Sequence, residues 1–164
     1  MALGSAEENR FRGYQLEMSE EIFDLGRAER LLPQLEQLLK VALEQKQRLS
    51  RFGKEQAQQL ERIIVLGGSR VDLEHFTHCK RGKEESGARL RQAAEEIEGL
   101  GCLLKDLDIG LVDFPCRLGE REVYLCWKLG EPNIQFWHHV EEGFAGRKPL
   151  DEKTIQQMQR SSPD

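Results

Sequence analysis

The sequence predicts an α+β domain: a long antiparallel helical hairpin followed by a small three-stranded antiparallel sheet. Two observations carry this. Apolar residues recur at helical spacing from Leu25 to about residue 105, interrupted at Gly67–Gly68, and beyond Leu107 the period shortens to that of strands. A third agrees with them: 32% of residues are charged, 38% are hydrophobic and the mean hydropathy is −0.60, as expected of long helices that expose most of their circumference. At 164 residues one domain is the default, with core enough to fold without disulfides or a structural metal.

Residues 1–22 mix small and charged side chains without a period and read as a flexible leader. The domain proper is expected over 23–150, with helices over about 24–105, the sheet over about 109–139 and a glycine-containing loop at 141–150. Asp24 is a good N-cap for a first helix through Leu25, Ala28, Leu31 and Leu32. Pro33 predicts a break or kink, opening a second, longer helix to about Leu66. Its seam is Leu35, Leu38, Leu39, Ala42, Leu43, Leu49, Leu60, Ile63 and Ile64. Gly67 and Gly68 supply a left-handed stop, and Ser69 with Asp72 resembles a capping box for the returning helix.

That helix carries Val71, Phe76, Cys79, Leu90, Ala94, Ile97, Gly101 and Leu104 on one face, so the two should pack antiparallel. Gly53, Gly82, Ser86 and Gly87 thin the seam midway, marking either a close backbone approach or a loose spot. GLVDFP, EVYLCWK and NIQFWHH then read as a meander, and residues 151–164 as a tail or short helix.

Composition excludes several functions. The net charge of −5 and the lack of a basic block interleaved with aromatics argue against nucleic acid. No apolar run is long enough to span a membrane, and the first residues lack a secretory layout. A soluble, cytoplasmic protein is expected. Its cysteines, Cys79, Cys102, Cys116 and Cys126, form no CxxC pair, as expected of reduced thiols. There is no Walker loop, nucleophile elbow, dinucleotide fingerprint or zincin helix.

The sharpest candidate constellation lies on the sheet. A first hairpin centred on Leu118–Gly119 places Asp113 opposite Tyr124, and a second centred near Glu131 places Tyr124 opposite His138. This face also carries Leu111, Cys126, Ile134 and Phe136; Val112, Phe114, Val123, Leu125, Trp127 and Trp137 take the other. One face should meet the helical hairpin, and the other terminal segments or a partner subunit. A carboxylate beside an imidazole can orient a base, bind a metal with it, or close a sheet as a hydrogen-bonded trio. Glu141 or Glu142 would complete a His-plus-carboxylate set for a divalent metal such as zinc, manganese or ferrous iron. Arg147, in the loop EEGFAGRKPL, is a candidate anion ligand, or else a structural partner for a glutamate of the helices with Phe144 filling an apolar gap. His139 should point away from His138. His75, His78 and Cys79 resemble a soft-metal cluster without a fourth ligand, for which surface decoration is the competing reading.

The stretches DFP, CW with LGE after it, WH (Trp137 and His138) and GFAGR, together with FDLGRAERLLPQLEQLL, resemble a bacterial family known as a domain of unknown function, numbered twenty-two-zero-three. The likeness runs from Phe23 to Leu150. It implies a bacterial source and no activity, and it favours Asp113, His138 and Arg147 over His75, His78 and His139 as residues to test. Two functions follow as expectations: a non-catalytic interaction module that pairs with a second copy as a dimer through its helical hairpin, or a small metal- or anion-dependent site, hydrolytic in one form, at the end of the sheet.

Overall fold

The computed structural model describes residues 21–67 and 72–161. Gly68, Ser69 and Val71, given roles above, lie outside them, as do the leader up to residue 20 and tail residues 162–164.

Helix α1 runs from Leu25 to Val65 and α2 returns from Leu73 to Gly99. Asp24 caps α1 as expected, its carboxylate accepting from the Arg27 backbone N–H at 2.7 Å. Pro33 does not break α1; it lies inside the helix on its exposed side. There the carbonyl freed by the missing N–H can turn to water, while Ala28, Leu32, Leu35, Leu39 and Ala42 hold the buried side without interruption. Asp72, expected as the fourth residue of a capping box opened by Ser69, is itself the cap of α2, which starts only at Leu73, and it accepts from the His75 N–H at 3.0 Å.

Midway along the hairpin, α1 and α2 approach closely. A side chain at Gly82 would fall inside the Phe52 ring, so this glycine is the seat of a knob from α1. Gln45 and Ser86 are buried nearby in sequence, which explains the thin apolar seam. Beyond Phe52 the expected seam fails: Leu60 and Ile64 are exposed. The antiparallel register that sets Phe52 on Gly82 brings Leu60 to the first turns of α2, where Asp72, Glu74 and His75 are exposed, Leu73 is exposed as well and Phe76 is half-buried.

The returning helix also ends earlier than the expected residue 105. Gly101 adopts φ +92° just past Leu100 and turns the chain into a strand, so Leu104 belongs to the sheet and not to the helical seam. That strand is β1 (Leu103–Asp106); β2 (Leu111–Leu118), β3 (Arg121–Lys128), β4 (Phe136–His139) and β5 (Lys148–Pro149) follow. The sheet therefore has five strands in the order β1-β2-β3-β4-β5, antiparallel throughout, where three were expected. The two extra strands, four and two residues long, are too short to show a period in sequence.

Val112, Phe114, Val123, Leu125, Trp127 and Trp137 form one core with Ala28, Leu32, Leu35, Leu39 and Ile97, so this face meets the helices as expected. Pro115 sits in β2 beyond the reach of β1, where its missing N–H breaks no ladder, and its carbonyl accepts from the Phe23 N–H at 2.6 Å. A short helix α3 (Glu152–Ser161) adds Met158 to the core.

Candidate functional site

The face turned away from the helices carries the polar row. Leu118 pairs with Arg121, leaving Gly119 and Glu120 as a two-residue turn, with Gly119 at φ +66°. This turn is one position later than expected, so Asp113 lies opposite Cys126, and Tyr124 opposite Pro115. The correction moves each partner by two residues and therefore keeps every side chain on its predicted face. The second hairpin has the expected register, with Tyr124 opposite His138 and Cys126 opposite Phe136.

Asp113 and His138 consequently meet diagonally across β3, with His138 Nε2 3.0 Å from Asp113 Oδ2. Both are 2% exposed, and Cys126 between them is fully buried. His138 Nδ1 lies 2.8 Å from the His139 carbonyl, which can only accept, so Nδ1 carries a proton. With Nε2 facing the Asp113 carboxylate, the arrangement suits an imidazolium hydrogen-bonded at both ends. Burial opposes that charge, but the hydrogen bonds to Asp113 and the His139 carbonyl and the Asp113 charge outweigh it, and the pKa of His138 rises above 6.5.

The Cys126 thiol is pushed up to about 12, first by burial and then by the charge and hydrogen bond of Asp113, with Arg147 opposing. Asp113 Oδ1 is buried and has no hydrogen-bond partner among the described residues. Asp113, Cys126 and His138 each offer one ligand atom, and these atoms all lie within 4.8 Å of one another. An imidazole, a carboxylate and a thiol form a donor set that suits zinc or ferrous iron.

Tyr124 contributes its ring and not its hydroxyl. It stands edge-on to the His138 ring at 5.5 Å, with Lys105 Nζ 5.2 Å from its own centroid. Burial, then the charges of Glu122 and Asp113, raise its pKa above the ordinary 10.

The glutamates expected to complete the site lie apart from it. Glu141 is exposed; Glu142 accepts from the His139 N–H at 3.2 Å and from Lys148 Nζ at 2.5 Å. The third donor at this point is Cys126, which sequence reasoning placed on the correct face without giving it a role as a ligand. Its position two residues from Tyr124 on one strand was the available signal.

Arg147 is likewise occupied. One guanidinium nitrogen lies 2.8 Å from each Glu131 carboxylate oxygen and donates to the Cys126 carbonyl at 3.3 Å. The guanidinium stacks 4.0 Å from the Phe136 centroid and 4.9 Å from that of Phe144. It latches the loop over the edge of the site, with Glu131 of the β3–β4 turn as its partner in place of a helix glutamate, and Phe144 is 44% exposed and fills no gap. Glu131 also accepts from the Lys128 N–H at 2.9 Å and, through its carbonyl, from Trp127 Nε1 at 3.0 Å. His139 turns to the opposite face, against Trp137.

The class defined here is an α+β protein with a helical hairpin on one sheet face and a buried imidazole, carboxylate and thiol on the other. Within that class the chain belongs to the family described as uncharacterized conserved protein (DUF2203), whose model matches residues 21–150. No curated protein and no solved structure matches the chain. Among the described residues no helix is long and apolar enough to cross a membrane.

Proposed function

We propose that this is a metal-binding protein whose ion is held by Asp113, Cys126 and His138. The observation that carries the reading is the convergence of three chemically different donors from three strands at one buried point, beside an orphaned carboxylate oxygen. The charge balance supports it: a carboxylate and a thiolate neutralise a divalent cation once His138 and Cys126 give up their protons. The Nδ1 contact to the His139 carbonyl already presents Nε2 as the ligand atom. Three protein donors leave a fourth position for water or another ligand, and burial of all three shields that position from bulk solvent.

The test is elemental analysis of protein purified without chelator or metal resin, repeated after dialysis against zinc, manganese and ferrous iron. Wild type should retain an ion that Cys126→Ser and Asp113→Asn lose, with the fold intact by circular dichroism. Wild-type protein that takes up none of these ions, or variants that retain the full complement, would refute the reading.

A second reading rests on a different observation. At the tip of the helical hairpin Ile64, Val65, Leu66 and Leu73 are each more than 60% exposed. We propose a second copy of this chain as the occupant of that patch: four large apolar side chains from both helices gather at one end of the hairpin, and burying them against the same patch of another copy removes them from water.

A further inference from the structure

We propose a second, independent metal site inside the helical hairpin, formed by Glu55 of α1 with His75 and Cys79 of α2, that takes a zinc-like divalent ion and clamps the distal part of the two helices. His75 and Cys79 are four residues apart and so stack on one face of α2. Glu55 faces them across the hairpin. Cys79 Sγ lies 3.3 Å from Glu55 Oε2 and 3.8 Å from His75 Nε2, and the three ligand atoms are all within 4.8 Å of one another.

The placement of this group gives it meaning. Among the described residues of the distal hairpin, 53–67 and 72–79, Cys79 alone is buried. Where the two helices most need a holding contact, the chain supplies a thiol, a carboxylate and an imidazole instead of an apolar knob. One turn further along α1, on the same helix face, the Gln59 side-chain carbonyl oxygen is buried without a hydrogen-bond partner among the described residues. His75 is exposed and Glu55 partly so, which leaves a fourth position open to solvent and a path by which an ion can enter.

In the metal-free hairpin the Cys79 thiol resists ionisation, through burial first and then its hydrogen bond to Glu55 and the charge of that carboxylate. A bound dication reverses that balance: the thiol proton leaves to solvent as the sulfur–metal bond forms, and the thiolate and carboxylate neutralise the ion. His78 takes no part, its ring standing edge-on to Phe52 at 5.9 Å.

The experiment is a zinc titration of the intact chain followed through the ring resonances of His75, with His78 as the internal reference. His138 reports separately on the sheet. Saturable shifts of His75 are expected while His78 stays in place, and Cys79→Ser and Glu55→Gln should each weaken the binding at least about tenfold. Because Glu55 is not fully buried, its variant tests the site even if Cys79→Ser loosens the helices. A His75 resonance that does not respond to zinc overturns the proposal. So does a response that persists undiminished in both variants, which would mark an isolated surface imidazole.

Discussion

At the scale of single residues, the chemistry of the sheet face turns on His138. In metal-free protein, Asp113 and the His139 carbonyl favour the charged form of its ring against burial, and Lys105 weakly opposes them. Its raised pKa makes a contribution to stability that is complete below about 6.5, the ordinary value, and is lost as pH climbs through the higher value of the folded state. Chelated protein should therefore weaken toward alkaline pH in urea denaturation, over the window opened by His138. In Asp113→Asn the largest remaining influence is burial, which favours the neutral ring, so the slope should reverse and stability should rise with pH. The same denaturation series, run on both proteins across neutral pH, checks the sign. Removing the partner altogether, in Asp113→Ala, leaves His138 Nε2 buried without a hydrogen-bond partner and should cost about 1–3 kcal/mol. Cys126 and Tyr124 face the same pair but remain un-ionised over this range, since burial raises both.

Among the elements, the middle of the hairpin separates two glycines that the sequence could not tell apart. Gly82 seats the Phe52 ring, whereas a side chain at Gly53 would meet nothing within 4 Å. Gly53→Ala should stabilise by about 0.5–1 kcal/mol through helix propensity alone. Gly82→Ala gains the same propensity but must displace the ring, and a net loss of about 1 kcal/mol is expected. In Phe52→Ala the second substitution should become favourable, a non-additivity that thermal unfolding of the four proteins measures. This contrast shows where sequence reading stops. The helical hairpin, the Asp24 cap and the two sheet faces were legible because burial imposes a period, and Asp24, Val112 and Trp137 fall where that period puts them. The continuous path of α1 through Pro33 was not, because tertiary packing on one side outweighed a local preference on the other. Asp113 and His138 were found through face and register together. Cys126 went unrecognised because the first turn was centred one residue early, and Glu55 because nothing in a row of surface acids distinguishes it before the helices are paired.

On the scale of the whole molecule, the core and the exposed patch lie in different places. The sheet packs on the proximal part of the helical hairpin, where Leu32, Leu35, Leu39 and Ile97 are buried; α1, about 60 Å long at the usual rise per residue, extends well past that contact. Beyond Phe52 it has a thin seam and then the apolar tip, which contributes nothing to the stability of one chain. Exposed apolar side chains gathered at one spot stabilise an assembly if another surface covers them. If that surface is a second copy, association must depend on concentration, and replacing Ile64 and Leu73 together with lysine should abolish it. Both side chains are at least 70% exposed, so the double variant should unfold at the wild-type midpoint. Sedimentation equilibrium over a wide concentration range decides the matter. A wild-type dimer that the double variant cannot form places the interface at the tip, whereas a wild type that stays monomeric throughout rules out self-association and leaves the patch to a different partner. Zinc provides a further discriminant, because an ion at Glu55, His75 and Cys79 would stiffen the two helices just behind the tip. It should strengthen dimerisation in wild type and leave it unchanged in Glu55→Gln.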